Sequence, residues 1–193
     1  MPPTARKKPK KISPGYLERA ALFYLERYSS SAENLRRVLD RKVRRSIQEH
    51  GEPEATKAAE WIGEVLAKLQ RNGLLNDRVF AESRVRSLYA AGKPLARIRQ
   101  TLAVKGVSKP DIEAALERLR DEAETPISDL PAAVAFARRR KLGPYRADPT
   151  QRREMRQKDL GALARRGFSQ TVATKILNAE SVAALEEILN DPD

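Results

Sequence analysis

The sequence predicts an all-α protein built from tandem three-helix units. Apolar residues recur at spacings of three and four almost continuously from Ser13 onward, as they do on the buried face of an amphipathic helix. Strand-like alternation of useful length is absent from the sequence, and β-branched residues are sparse. A chain of 193 residues with 40% hydrophobic content can bury a core. We therefore expect the units to pack into an elongated, curved molecule.

Three helices form the first predicted unit. Ser13 is placed to cap the first helix, and Pro14 occupies its first turn. Ser30 and Glu33 have the spacing of a capping box and open the second helix, whereas the third helix ends just before Gly73. The apolar faces are Tyr16, Leu17, Ala20, Ala21, Tyr24 and Leu25 in the first helix, Leu35, Val38 and Leu39 in the second, and Ala58, Trp61, Ile62, Val65, Leu66 and Leu69 in the third.

The second and third units repeat one pattern. Phe80-Ala81 matches Phe136-Ala137, Tyr89 matches Tyr145, and Lys105-Gly106-Val107-Ser108 matches Arg166-Gly167-Phe168-Ser169. The serines in these runs are placed to cap the last helix of each unit, and Asp111 completes a capping-box spacing with the first of them. Because Phe80 to Gly106 spans 26 positions and Phe136 to Gly167 spans 31, the third unit has five extra residues, which we place in the loop 143–149.

These patterns predict the organisation of the whole chain. Residues 1–13 are rich in proline and lysine and lack periodicity, which predicts a disordered basic arm; a merely solubilising role for this arm fits at least as well as a binding role. The predicted parts are the arm at 1–13, three-helix repeats at 14–73, 74–121 and 131–179, an acidic linker at 122–130, and a short C-terminal helix and tail at 180–193.

Few residues could carry catalysis or hold a metal. The chain has no cysteine, and its only histidine, His50, is expected in an exposed loop, so histidine-based triads and the usual zinc sites are excluded. The run Ala91-Gly92-Lys93-Pro94 lacks most of a phosphate-binding loop. The acidic residues Asp121, Glu122, Glu124 and Asp129 are expected to form a solvated hinge in preference to a Mg²⁺ site. We expect no enzymatic activity, no cofactor and no metal.

No apolar run approaches the length of a membrane span, and the basic start is not followed by an apolar signal core. These features, together with the lack of cysteine, predict a cytoplasmic protein that does not use a membrane. We expect it to be a monomer.

The charge of the chain favours an anionic partner. Lys and Arg total 38 against 26 Asp and Glu, a surplus of 12 positive charges. The surplus is concentrated between Arg36 and Arg45 and again between Arg138 and Arg166, in both cases opposite an apolar helix face. The arginine fork suits phosphate and carboxylate alike, and a simple solvated helix face is the alternative interpretation.

Two common modes of reading nucleic acid are not favoured. Three-helix units can be helix-turn-helix readers, but the helix starts at Ser108 and Ser169 offer few side chains for base recognition. Only 5% of residues are aromatic, and those of the apolar stripes fall mostly on core faces, which argues against a base-stacking surface.

Two sequence runs resemble the central signature of the RecX family. The first is Leu69-Gln70-Arg71-Asn72-Gly73-Leu74-Leu75-Asn76-Asp77-Arg78-Val79-Phe80-Ala81, and the second is Arg97-Ile98 followed by Leu102-Ala103-Val104-Lys105-Gly106-Val107. The run Ser30-Ser31-Ala32-Glu33-Asn34-Leu35 followed by Leu39 resembles the first-unit motif of the family, with Asn34 inserted before the leucine. The similarity extends over about 16–177, and the third unit matches only in its general pattern.

The resemblance implies tandem three-helix repeats and a non-enzymatic regulator of the RecA recombinase. Such a regulator would bind along the groove of the RecA filament on single-stranded DNA and inhibit its ATPase, strand-exchange and coprotease functions. It would thereby affect recombination, DNA repair and the SOS response. Weaker, salt-dependent contacts with single- or double-stranded DNA would accompany filament binding.

Candidate contact residues come from the basic stretches and the second-unit motif. They are Arg36, Arg37, Arg41, Arg44 and Arg45 in the first unit, Arg97, Arg99 and Lys105 in the second, and Arg138, Arg139, Arg140, Arg152, Arg153 and Arg156 in the third. Two alternatives stay open: a general basic nucleic-acid-binding protein without a recombinase partner, and an unrelated helical scaffold.

Overall fold

The structure is a computed structural model that describes residues 8–190, and it is all-α over them. This confirms the predicted fold class, and no strand occurs within that range. The helices are α1 (Pro14–Leu25), α2 (Ala32–His50), α3 (Ala55–Arg71), α4 (Asp77–Ala90), α5 (Leu95–Val104), α6 (Lys109–Asp121), α7 (Leu130–Arg140), α8 (Pro149–Glu154), α9 (Arg156–Arg166), α10 (Gln170–Asn178) and α11 (Val182–Asn190), with a 3₁₀ helix at Gly143–Tyr145.

The described chain forms two compact units. The first contains residues 8–81 and 103–111, and the second contains residues 82–102 and 112–190. The predicted second repeat, 74–121, is therefore divided between the two units. Residues 1–7 of the predicted arm and residues 191–193 of the predicted tail lie outside the described residues.

The core of the first unit lies between α1, α2 and α3. Its largest buried side chains come from the predicted apolar faces of all three helices, which are confirmed; they are Leu17, Leu35, Leu39, Ile62 and Leu69. Truncating one such leucine to alanine typically costs about 2–5 kcal/mol, because a cavity remains where the side chain was. Because Leu35 and Leu39 point into this core, the charged side of α2 faces away from it.

Serine side chains cap the predicted helix starts. Ser13, Ser108 and Ser169 each accept a hydrogen bond from the backbone N–H three residues further on, at 3.2 Å, as expected. The second helix starts one residue later than predicted, because Ser31 and not Ser30 caps it. The Ser31 hydroxyl also donates to the carbonyl of Lys105, which joins the start of α2 to the end of α5 within the first unit.

Residues 8–13 lie against the first unit in a non-helical conformation. Ile12 is only 8% exposed and belongs to the core. The Pro9 carbonyl lies 2.8 Å from His50 Nε2, and since a carbonyl only accepts, that nitrogen carries the hydrogen. His50 is half-buried at the end of α2, which corrects the expectation of an exposed loop residue. The second half of the predicted arm thus has specific contacts.

The core of the second unit is formed mainly by α7, α9, α10 and α11. Ala133, Ala137, Leu163, Ile176 and Leu185 are completely buried in it. The predicted loop 143–149 begins with a 3₁₀ helix, Gly143–Tyr145, and ends at Pro149, the first residue of α8.

One buried carboxylate stabilises this extra segment. Asp159 is 1% exposed and accepts hydrogen bonds from the backbone N–H of Gly143 at 3.0 Å and from the Arg146 guanidinium at 2.6 and 3.0 Å. The ion pair raises the pKa of Arg146, because its hydrogen bonds to Asp159 favour the charged guanidinium. The segment is therefore fixed to α9 by a charge pair that is almost removed from water.

The predicted acidic hinge is partly ordered by bonds to helices of the second unit. Asp129 Oδ1 accepts from the N–H of Leu95 at 2.8 Å, so a linker residue caps the start of α5. Glu122 accepts from Arg86 and Arg118, at 3.4 and 2.9 Å. Asp129 is half-buried, which corrects the expectation of a solvated residue there, whereas Glu122 is exposed although it is paired with two arginines.

Candidate anion-binding surfaces

Three arginines on α2 are free to meet an external anion. Arg41, Arg44 and Arg45 are exposed on the side opposite Leu39 and Val43, which face the core. Within residues 8–190, their side chains have no hydrogen-bond or ion-pair partner. Because positions three and four apart share one helix face, Arg41, Arg44 and Arg45 concentrate positive charge on one side of α2.

The first turn of α2 uses its arginines internally. Glu33 lies 3.6 Å from Arg36 and 2.9 Å from Arg37. Arg37 Nη1 also donates to the Val104 carbonyl at 2.6 Å. Arg37 therefore stabilises the contact of α2 with the end of α5 inside the first unit, and less of its donor capacity is left for a partner.

The candidates on and just after α5 also have internal partners. Arg99 forms a bidentate pair with Glu113, at 2.8 and 3.0 Å, and this hydrogen bonding raises the pKa of Arg99. Arg97 donates to Gln100 within the same helix. Lys105 Nζ donates to Asn34 Oδ1 at 3.1 Å. We interpret these three residues first as stabilising contacts of the fold.

Three exposed arginines end α7. Arg138, Arg139 and Arg140 lie in its last turn, where a cation interacts favourably with the helix dipole. The Arg139 guanidinium lies 6.0 Å from the centre of the Phe136 ring, and Arg166 lies 5.8 Å from the same ring. Arg166 ends the basic stretch 138–166 and is not among the predicted contact residues. The two arginines line a small pocket of about 130 Å³.

The candidates of α8 and α9 fall into two kinds. Arg152 donates to the carbonyls of Arg146 and Glu180, at 3.0 and 3.1 Å. Arg156 donates to the Leu177 carbonyl at 3.2 Å and to the side chain of Asn178 at 2.7 Å. Arg153, between them, is exposed. Arg152 and Arg156 hold segments of the second unit together, whereas Arg153 faces solvent.

The fourteen candidates thus separate by their internal bonding. Six are exposed with side chains that form no hydrogen bond, ion pair or aromatic-ring contact inside the described part of the chain: Arg41, Arg44, Arg45, Arg138, Arg140 and Arg153. We call these the unpaired arginines. Each compact unit contributes three of them. An arginine without an internal acceptor can offer its whole planar fork to phosphate or carboxylate.

Two exposed aromatic residues were not identified from the sequence. Phe23 is 55% exposed and Tyr28 is 57% exposed. The Arg27 guanidinium lies 4.2 Å from the centre of the Phe23 ring, and the rings of Tyr24 and Tyr28 are 5.1 Å apart. The available signal was that Phe23 falls outside the apolar stripe of α1.

The described residues offer no converging metal ligands. No group of three or more histidine, cysteine, aspartate or glutamate residues in the range 8–190 is arranged to hold a metal ion. None of the helices described there combines the length and the apolar character needed to cross a bilayer.

These observations define a basic, all-α protein of three-helix units. The family model described as "RecX, second three-helix domain" matches residues 76–116, which lie within the predicted second repeat. The chain is 44% identical over 173 residues to Regulatory protein RecX of Myxococcus xanthus (strain DK1622), with 90% of each chain covered. It is 35% identical over 174 residues to Regulatory protein RecX of Agrobacterium fabrum (strain C58 / ATCC 33970), covering 89% of this chain and 86% of the relative. The chain therefore belongs to the RecX family, as its motifs suggested.

Solved structures agree with this assignment. A crystal structure of regulatory protein RecX is similar with a TM-score of 0.59 and 26% identity, covering 86% of this chain and 72% of that one. The crystal structure of RecX from Lactobacillus salivarius shares the fold, with a TM-score of 0.56 and 24% identity over 85% of this chain and 94% of that one.

Proposed function

We propose that this protein regulates the RecA recombinase by binding its filament on single-stranded DNA. The binding inhibits the filament's ATPase, strand-exchange and coprotease activities, and through them affects recombination, DNA repair and the SOS response. The observation that carries the proposal is the 44% identity, over 90% of the chain, to a protein named Regulatory protein RecX. The protein acts as a cytoplasmic monomer and catalyses no reaction of its own.

The unpaired arginines supply a physical means of binding. A nucleoprotein filament carries phosphates on its DNA and carboxylates on its protein, and arginine forks bind both groups. Because both units of the chain present such arginines, several weak contacts can act together through effective concentration. Regulation then needs only a difference in affinity between two states of the filament, since that difference shifts their populations.

DNA-stimulated ATP hydrolysis by RecA tests the proposal directly. We expect substoichiometric amounts of the protein to lower the steady-state rate on single-stranded DNA. Filament binding is measured in parallel, for example by labelling the protein and following its anisotropy. An unchanged hydrolysis rate under conditions of demonstrated binding would contradict inhibition.

Charge reversal on α2 tests the role of the unpaired arginines. Arg41→Glu combined with Arg44→Glu should weaken binding to the filament at least tenfold and raise the amount of protein needed for inhibition. Lys175→Glu is the control, because this exposed lysine on α10 lies outside the candidate set. Filament affinity equal to that of the wild type would remove Arg41 and Arg44 from the binding surface.

A second candidate is a general nucleic-acid-binding protein without a recombinase partner. The observation that favours it is the surplus of 12 positive charges, which attracts any anionic polymer. It differs from the first proposal in predicting no preference for the filament over bare DNA.

A further inference from the structure

An open pocket lies between the N-terminal segment and α2 in the first unit. It measures about 740 Å³ and is lined by Lys8, Pro9, Lys10, Tyr16, Lys42, Arg45 and Glu49. The three α2 residues are spaced i, i+3 and i+7, so they form one line along the helix. None of the lining residues except Arg45 was among the candidates selected from the sequence.

The pocket has a surplus of positive charge. Four cationic side chains surround it with one carboxylate, Glu49, which lies 3.6 Å from Lys8. Within the described residues, Lys10, Lys42 and Arg45 have no hydrogen-bonding or ion-pair partner for their side chains, and neither does the Tyr16 hydroxyl. Like charges around one pocket repel one another, and a bound anion offsets that repulsion.

The pocket is kept in place by contacts that do not involve these cations. Ile12 anchors the N-terminal segment in the core, and His50 Nε2 donates to the Pro9 carbonyl at 2.8 Å. Lys11, in the same segment, lies 3.8 Å from Glu52. The lysines therefore stand beside α2 before any ligand arrives, which lowers the entropic cost of binding.

We propose that this pocket binds a phosphodiester group of a nucleic-acid strand. Arg45 can donate two parallel hydrogen bonds to its oxygens, the lysines supply point charges, and the Tyr16 hydroxyl supplies a neutral donor. Arg41 and Arg44 lie on the adjoining side of α2, so a strand leaving the pocket meets further cations on the same helix. The proposal deepens the proposed function and rests on it in part, because it assigns the N-terminal segment to the DNA contact of the regulator.

The test compares two variants that lose the same charge. Lys8→Gln/Lys10→Gln removes two cations of the pocket, and Lys109→Gln/Lys175→Gln removes two exposed lysines elsewhere. The probe is a fluorescein-labelled oligothymidylate, titrated by anisotropy without RecA over a series of salt concentrations. We expect the pocket variant alone to bind several-fold more weakly and to reduce the slope of log K against log salt by up to about 0.7, the contribution of one phosphate contact on a single strand.

Arg45→Gln provides an independent variant, because it alters the pocket from α2 without touching the N-terminal segment. It should weaken the same binding and reduce the slope by about 0.7. Thermal unfolding of all variants shows whether each is folded as the wild type is.

Three other results would contradict the proposal that the pocket binds a phosphodiester group. Equal losses in the pocket variant and the matched control would show an effect of net charge only, and unchanged binding in the pocket variant would show no contact. Loss of binding to phosphatidylserine vesicles with unchanged DNA binding would assign the pocket to a lipid surface and contradict the proposal.

RecA ATPase inhibition, measured on the same proteins, separates this inference from the proposed function. If the wild type inhibits RecA but Lys8→Gln/Lys10→Gln binds DNA as the wild type does, the phosphate site is contradicted and the proposed regulation of RecA stands. If the pocket variant loses DNA binding but the wild type does not inhibit RecA, the regulation is contradicted and the phosphate site stands.

Discussion

At the scale of single residues, arginines that look equivalent in the sequence differ in how deeply the fold buries them. Arg146 and Arg153 belong to the same basic stretch, yet the Arg146 side chain is 18% exposed and paired with Asp159, whereas Arg153 faces solvent. Separating a buried charge from its partner leaves the remaining charge poorly solvated. The two residues should therefore respond differently to substitution.

Asp159→Ala is expected to destabilise the second unit by about 3 kcal/mol, because it leaves Arg146 and the Gly143 N–H without their common acceptor. Urea unfolding followed by circular dichroism measures the loss. Arg153→Ala is the matched control and should change stability by less than about 0.5 kcal/mol. Equal stabilities of the two variants would show that the ion pair does not stabilise this region.

Asp129 gives a prediction for pH. Burial raises the pKa of this carboxyl, and the Leu95 N–H bond and the charge of Arg99 oppose that rise less strongly. The native state then binds the proton more tightly than the unfolded chain does. The stabilisation from protonated Asp129 is complete below the pKa that this carboxyl has in the unfolded chain, about 3.9. It is lost as pH rises through the higher pKa of the folded state.

Asp129→Asn removes this titration while keeping an oxygen that can cap α5. The stability of the wild type relative to the variant should therefore fall as pH is raised above about 4 and then level off. Urea midpoints at a series of pH values measure the difference. If the free energy of unfolding of the wild type rises relative to that of the variant over this range, the pKa of Asp129 is lowered and not raised.

At the scale of elements, the helix ends were the most predictable features. Serine caps and glycines after the last turn act through local backbone geometry, so Ser13, Ser108 and Ser169 could be placed from spacing alone. The 3₁₀ helix and α8 could not be predicted from local spacing. The 3₁₀ helix depends on the Asp159 carboxylate, which lies sixteen residues after Gly143 in the sequence. Comparison of repeats showed that residues were added there without showing what they form.

Gly106 tests how an element end depends on its surroundings. Its φ is +79°, and a Cβ added there would lie 2.3 and 2.4 Å from Cγ and Cβ of Glu33. Gly73 has a similar φ of +71° with nothing within 4 Å of an added Cβ. Gly73→Ala should cost about 1 kcal/mol from backbone strain, and Gly106→Ala at least about 1 kcal/mol more from overlap with Glu33.

Chemical denaturation of both glycine variants gives the two values. Because the backbone strain is nearly the same, their difference measures the steric contact between the end of α5 and the start of α2. Equal losses would indicate that Glu33 moves aside freely.

At the scale of the whole molecule, the surplus of 12 positive charges governs binding to any polyanion. The unpaired arginines show where part of that surplus remains available, in both compact units. Charge alone gives salt-dependent binding without selecting a partner. Preference for a filament must come from contacts with its protein component as well.

A competition experiment separates the two proposed functions. At equal phosphate, the RecA filament should displace labelled single-stranded DNA from the protein better than bare DNA does, at every salt concentration. If about six single-strand phosphates are contacted, raising salt from about 50 to 200 mM should weaken bare-DNA binding by roughly 300-fold, and filament binding less. Bare DNA that competes equally throughout would support the general nucleic-acid-binding protein and contradict the recombinase partner.

The sequence by itself determined the helical class, most caps, the apolar faces, the charge surplus and the family. Each of these depends on residue order, periodicity or composition along short stretches of chain. Only the tertiary structure decided which cations are free. Arg37 meets the Val104 carbonyl and Arg156 meets that of Leu177, whereas burial of Ile12 brings the N-terminal lysines to α2. The physical reason is that hydrogen bonds form between groups close in space, and proximity across the chain is set by packing.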